Sequence, residues 1–279
     1  MTPGIAGSTA AVVSRDAAER EDAGVSRDAA DAAERSEAVT AALATVLDPE
    51  LDRPVTELGF VRSVSIDGGH VTARLRLPTY FCAPNFAWLM VEDTRRVLAA
   101  LPWATEVTVV LEDHFASDEI NQGVAHGREF AEAFPLLSDP DRLDELRRTF
   151  LRKGALAAQA RLGRRLTERG WTACQLAGAR LHDLPDRLTT TLVRRRRALG
   201  LPADGVDPVF TDEHGHPVLA VDMEAHLRRC RTTAVGIGAN TEICEGLLAA
   251  RYGPASGSAA GFTATTPHDT TADTAGGAA

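Results

Sequence analysis

Large apolar side chains are spread unevenly along the chain. Residues 1–35 are built mainly from Ala, Asp, Glu, Arg and Ser, and "VSRDAAER" nearly recurs as "VSRDAADAAER". Residues 253–279 are a Gly/Ser/Thr/Ala run. Neither segment has an apolar face whose burial could offset the entropy of ordering, so both are predicted to be disordered arms.

Between the arms the pattern changes twice. "SEAVTAALATVLDPE" sets Val39, Leu43, Val46 and Leu47 at helical spacing, with Ser36 as N-cap and Asp48-Pro49 as the stop. "FVRSVSI" and "HVTARLRL" flank "DGG", which predicts a β-hairpin. In its second arm Val71, Ala73, Leu75 and Leu77 share one face, and Thr72, Arg74 and Arg76 the other. That is the alternation of a sheet covered on one side. "PNFAWLMVEDTRRVLAAL" places Pro84 in a first helical turn and aligns Phe86, Met90, Val97, Leu98 and Leu101 as a stripe. "TEVTVVLED" predicts another strand, and the helix before it is long enough for a parallel crossover. "SDEINQGVAHGREFAEAF" predicts a helix capped by Ser117 or Asp118. Residues 36–135 therefore read as an α+β domain, a small sheet of three or more strands with helices packed on one face.

Residues 136–252 carry a different signal, that of a mostly α-helical accessory domain. "DRLDELRRTFLRKGALAAQARLGRRLTERG" is a long helix with Leu143, Leu146, Phe150, Leu151 and Leu162 among its apolar positions, and "DLPDRLTTTLVRRRRALG" is a second. A short hairpin turning at Glu213–His216, a helix from Asp222 and a separate final helix in "TEICEGLLAARYG" complete the block. The Arg194–Arg197 run is predicted to be a solvated helix face.

Composition narrows the function classes. At 279 residues and 44% hydrophobic, the chain suits one or two domains with an ample core. A net charge of −9 opposes a nucleic-acid partner, because phosphate binding needs a cationic surface. No apolar run approaches the roughly 20 residues needed to cross a bilayer, so no membrane association is expected. The start "MTPGIAGSTAAVVSRD" lacks the basic and apolar regions of an export signal. Cys82, Cys174, Cys230 and Cys244 form no C-x-x-C, so reduced thiols in a cytoplasm are expected.

Among these thiols Cys82 has the most unusual setting. In "PTYFCAPNFAW" it lies where a strand gives way to a helix, close to the unsatisfied N–H groups and positive end of that helix. Such surroundings favour the thiolate, the form that binds metal or attacks an electrophile. The bland alternative is a small buried residue at a strand end. Cys230 and Cys244 fall in helices and read as core packing. His214 and His216 alternate as a turn would make them, with no cysteine pair nearby to complete a zinc site.

"LDPELDRPVTELGFV", the hairpin and "LPTYFCAP" together resemble the small metal–sulfur cluster assembly proteins. That family includes the assembly subunit encoded with phenylacetyl-CoA oxygenases and the larger factors of cytosolic iron–sulfur protein maturation. The resemblance rests on Asp48-Pro49-Glu50, Glu57-Leu58-Gly59, and Thr79 with Cys82, and extends over about residues 36–115. It implies a compact α/β fold and a role in assembling or delivering iron–sulfur clusters or maturing metalloenzymes. Cys82 would be the functional thiol, and Asp48, Glu50, Glu57, Gly59 and Thr79 the supporting loop. Iron or an iron–sulfur cluster would be held transiently for a client metalloprotein, such as a subunit of a bacterial multicomponent oxygenase.

Two departures stand out: Ala83 separates the cysteine from Pro84, and "LEDHFASDEINQG" replaces the family's Trp/Pro-rich segment after the last strand. The replacement supplies Asp113, His114, Asp118 and Glu119, and Asp113 and His114 are candidate iron ligands with Cys82. One cysteine cannot hold a cluster alone, so a homodimer, a partner's thiols or small ligands would complete it. Two other classes fit the same residues: a thiol enzyme with Cys82 as nucleophile and His114 as its base, and a metal-free interaction adaptor.

Overall fold

The computed structural model describes residues 30–136 and 142–253. Most of the N-terminal arm and the C-terminal arm lie outside the described residues. The first helix, α1, covers residues 30–43, so Ser36 is an interior position rather than the cap. Tertiary contacts extend it upstream: Arg35 stacks over the Trp103 ring at 5.2 Å and donates to the Gly68 carbonyl in the hairpin turn.

Two short strands, β1 Leu47–Asp48 and β2 Arg53–Pro54, pair antiparallel and bracket the Asp-Pro-Glu turn. The predicted hairpin is β3 Val61–Asp67 and β4 His70–Arg76. Helix α2, Pro84–Ala99, crosses over to β5 Glu106–Glu112, which runs parallel to β4. The sheet order is β3-β4-β5, with the hairpin's second arm in the centre. Val71, Ala73, Leu75 and Leu77 are all buried, as their alternation requires.

On the opposite face Arg62, Arg74 and Glu112 form one ion-paired row across the three strands. Helix α2 buries more than its predicted stripe, because α3 Ser117–Ala125 and α4 Phe130–Ala133 cover its second side. Trp88 is fully buried there against Phe130 and Phe134. Helix α3 starts without a side-chain cap, since Ser117 lies inside its first turn.

The remaining helices are α5 Arg142–Glu168, α6 Ala173–Gly178, α7 Asp186–Leu199 and α8 Met223–Tyr252. The two helices expected beyond Asp222 are one continuous α8. A second apolar core joins Ala158, Leu162 and Leu166 of α5 to Leu192 of α7 and Leu227 of α8. Helix α8 contributes to both cores, because Leu248 near its end packs into the N-terminal domain's core.

The arginine run is solvated only in part: Arg194 and Arg197 are exposed, and the two between them are not. Arg195 and Arg196 are almost completely buried. Arg196 donates to the Pro208 and Val209 carbonyls and to Thr211 Oγ1, which fixes the loop before α8. Arg195 Nε donates to Asp52 Oδ1 at 2.6 Å, so a buried ion pair joins α7 to the loop between β1 and β2. Arg195 thus has a carboxylate partner, whereas the equally buried Arg196 is held by neutral acceptors alone. The pair fits because α5 has Gly154 beneath it: a Cβ there would lie 2.5 Å from Asp52 Oδ1.

A cavity of ≈ 680 Å³ runs along this joint, lined by Asp48, Glu92, Arg96, Arg147, Arg194 and Arg195 among others. Much of its charge is already paired: Arg96 and Arg147 both bind Asp93, and Arg195 binds Asp52.

Candidate functional site

The site is assembled where β4 and the parallel β5 end side by side. Beyond Leu77 the chain turns through Pro78–Phe81 to Cys82 and enters α2 at Pro84. Cys82 is half-buried. Its sulfur lies 3.3 Å from Thr79 Oγ1, so the family motif's threonine is the hydroxyl that meets the thiol. The first turn of α2 is largely self-satisfied, with the Phe86 N–H meeting the Ala83 carbonyl and the Asn85 side chain.

His114, which follows β5, is buried next to the cysteine loop. Its Nδ1 accepts the Ala116 N–H at 3.2 Å, so the proton resides on Nε2, which donates to the Cys82 carbonyl at 2.8 Å. Burial holds its pKa below the ordinary histidine value and the nearby Arg251 charge adds to this, against the bond to Cys82. Both ring nitrogens therefore serve the backbone. His114 positions the Cys82 peptide and, so placed, has no free lone pair for a metal ion or a thiol proton. The Phe115 N–H donates to the Tyr80 carbonyl and ties the two loops a second time.

Asp113 has a left-handed backbone, φ 52°. Its carbonyl accepts from Arg251 Nη2 at 2.7 Å and its carboxylate from the Tyr252 hydroxyl at 3.2 Å. Arg251 also donates to the Leu77 carbonyl, so the end of α8 clasps the exits of both strands. Asp118 and Glu119 are exposed in the first turn of α3.

Of the remaining motif residues, all but Glu57 lie under the same helix. Asp48 is buried and accepts the Leu51 N–H at 2.8 Å. Burial pushes its pKa up to about 6, opposed by the N–H groups of Leu51 and Glu50 and assisted by the Glu50 charge. Glu50 accepts from Asn240, and Arg53 pairs with both Glu57 and Glu245. Gly59 has φ 72°, and a Cβ there would lie 3.4 Å from Leu248 Cδ2. The left-handed backbone therefore favours a glycine there, with Leu248 of α8 in van der Waals reach. Around Cys82 the side chains of Tyr80, Phe81 and Phe115 form an exposed aromatic cluster, with Phe81 76% accessible.

Thus Cys82, Thr79 and the His114 ring meet at the strand ends, and Arg251 joins the Asp113 and Leu77 carbonyls alongside. Asp48, Glu50 and Gly59 meet beneath α8, and Glu57 points outward. The signal for the aromatic rim was present in "TYF" and "HF", but only the pairing of β4 with β5 brings the two loops together. Among the described residues no three His, Cys, Asp or Glu side chains are grouped to hold a metal ion.

Residues 36–109 match the iron–sulfur cluster assembly protein family. The N-terminal α+β domain, residues 36–135, thus resembles an iron–sulfur cluster assembly domain over most of its length. Over 89 residues the chain is 38% identical to the iron–sulfur cluster carrier protein of Mycobacterium leprae (strain TN), an overlap covering 32% of this chain. It spans 23% of that relative's length. No solved structure matches. The assembly domain as matched contains Asp48, Glu50, Glu57, Gly59, Thr79 and Cys82. Asp113, His114 and the whole of α8 lie beyond it, so the strand-exit clasp is an addition to the matched region.

Proposed function

We propose that this chain is a carrier or assembly factor that takes an iron–sulfur cluster, or its iron, as cargo at Cys82 and passes it to a client metalloprotein. The observation that carries this reading is the setting of Cys82: a half-buried thiol beside Thr79, on a loop whose peptide is fixed by His114, inside the iron–sulfur assembly domain. The sulfur binds iron as thiolate, giving its proton to solvent, and Thr79 offers a hydroxyl hydrogen bond to the charged form. Bound through few protein ligands, the cargo leaves readily, which suits transfer rather than storage.

The aromatic rim of Tyr80, Phe81 and Phe115 gives a client an apolar contact next to the sulfur. A multicomponent oxygenase subunit is one client of suitable chemistry, and a reducing cytoplasm is the compartment such a thiol requires. The chain has no turnover of its own in this reading, because His114 is committed to backbone atoms rather than to the cysteine sulfur. No helix among the described residues is long and apolar enough to cross a membrane.

The test is anaerobic loading with ferrous iron and sulfide, followed by transfer to an apo iron–sulfur acceptor, comparing wild type with Cys82→Ala. We expect transfer to fall at least roughly tenfold, the minimum expected on losing a metal-binding ligand, with circular dichroism and melting temperature essentially unchanged. Equal transfer by both proteins would refute the role of Cys82.

A further inference from the structure

Helix α8 buries one side against the two cores and leaves the opposite side open. Opposite the buried Cys230, Thr241 and Leu248, the positions Thr232, Val235, Ala239, Ile243, Gly246 and Ala250 succeed one another at helical spacing, and all are exposed. Val235 is 70% accessible and Ile243 60%. The solvent side of a helix ordinarily carries charged and polar residues. None of these positions carries a charge, and only Thr232 is polar.

The glycines of the same helix are also unexplained within the chain. A Cβ on Gly236, Gly238 or Gly246 would meet nothing within 4 Å, so no contact among the described residues requires a glycine there. Each weakens the helix it sits in. Small residues on an open helix face permit the close approach of another helix, because the interaxial distance is set by the side chains between them.

Charge selects the partner. Arg231 and Glu242 lie on one flank of the stripe, three turns apart, both exposed and neither in an ion pair among the described residues. A second α8 laid antiparallel on the first, with a twofold axis between Gly236 and Ile237, sets Arg231 of each copy level with Glu242 of the other. The same register sets Val235 level with Gly238, a large residue against a gap. A parallel pairing would bring like charges side by side.

We propose that the open face of α8 is a self-association surface, on which two copies of this chain pair through antiparallel α8 helices. The contact is isologous, as twofold pairs are. It is one helix face wide, so the dimer is weak, with a dissociation constant of about 1–100 μM. Arg251 of one copy lies level with the start of α8 in the other. The two strand-exit clasps therefore stand nearly a full helix length apart, about 40 Å at about 1.5 Å per residue. Each copy keeps its own Cys82 site, and the dimer does not merge two thiols into one. The proposal stands apart from the carrier reading.

Sedimentation velocity of the full chain from about 1 to about 300 μM, a range bracketing that constant, tests it. Wild type should shift from monomer to dimer, and Val235→Glu should stay monomeric. Arg231→Glu and Glu242→Arg should each weaken the dimer roughly tenfold, since each turns two attractions into two repulsions. The double variant Arg231→Glu/Glu242→Arg should return to within about threefold of wild type. Circular dichroism checks that every variant is folded. A wild type that stays monomeric throughout leaves the face to an arm of the chain or to a client and overturns the proposal. A dimer that survives Val235→Glu, or charge variants that the double variant does not rescue, overturns it equally.

Discussion

Among the described residues two cysteine–histidine neighbourhoods come out differently. In the assembly domain His114 donates to the Cys82 carbonyl, and the sulfur stands half-buried beside Thr79 and an exposed aromatic rim. In the helical block Cys230 and His226 sit one turn apart on α8, with the sulfur 3.4 Å from Nε2, but Cys230 is completely buried. Gln159 Oε1 accepts the Thr211 N–H, so it must also accept from His226 Nε2, which therefore carries the proton. That imidazole has no lone pair for the Cys230 thiol. Burial pushes the His226 pKa down to about 4 and the Cys230 thiol up to about 11. Nearness of sulfur to imidazole is thus greater in the pair that is inert. Access, and where each ring nitrogen is already committed, separate a working thiol from packing.

The largest effect that would test this contrast is chemical. Alkylation with iodoacetamide, followed by peptide mapping, should modify Cys82 at least roughly a thousandfold faster than Cys230, whose sulfur is reached only when the helical block opens. Comparable rates would mean that the block is loose and the contrast false.

The next is a pH dependence. The pKa of His226 is about 4 when folded, below the ordinary 6.5, so the unfolded chain binds its proton first as pH falls. Its contribution is fully present above 6.5 and is lost on acidification towards 4, a change of roughly 3 kcal/mol. Asp48 shifts in the opposite sense. The measurement is therefore the difference in urea-unfolding free energy between wild type and His226→Gln, followed across that interval. A flat difference would count against a buried neutral His226.

The smallest effect concerns the positioning role of His114. His114→Ala leaves the Cys82 carbonyl and the Ala116 N–H without their partner and should cost about 1 kcal/mol. Cluster transfer should slow by less than tenfold, a milder loss than Cys82→Ala. His114→Gln, which can return an N–H to the carbonyl, should recover part of it. A loss as deep as that of Cys82→Ala would instead place His114 among the groups that handle cargo.

Much of the assembly domain was legible in the sequence because its information is local. The alternation Val71, Ala73, Leu75, Leu77, the "DGG" turn and Pro84 each determine a short element through nearby atoms alone. The Cys82 loop was legible for the same reason, lying between one strand and one helix. The hydroxyl of Thr79 beside its sulfur follows from a separation of three residues.

Helix α8 was not legible as one element. "RTTAVGIGAN" contains Gly236 and Gly238, which cost about 1 kcal/mol each inside a helix and read as a break. Nor do its apolar positions form one stripe, because Leu227 and Cys230 face the helical block whereas Leu248 faces the assembly domain. Docking at both ends outweighs the weak centre.

The sequence by itself determined the elements of the assembly domain and the place of its cysteine, since strand alternation and turn chemistry act over a few residues. Only the tertiary structure decided that Arg195 would pair with Asp52 and that Arg251 would clasp the two strand exits. It also decided that Leu248 of α8 would meet Gly59 of the motif loop. Those contacts join positions far apart in the chain, and no local pattern encodes which distant surface a helix face will meet.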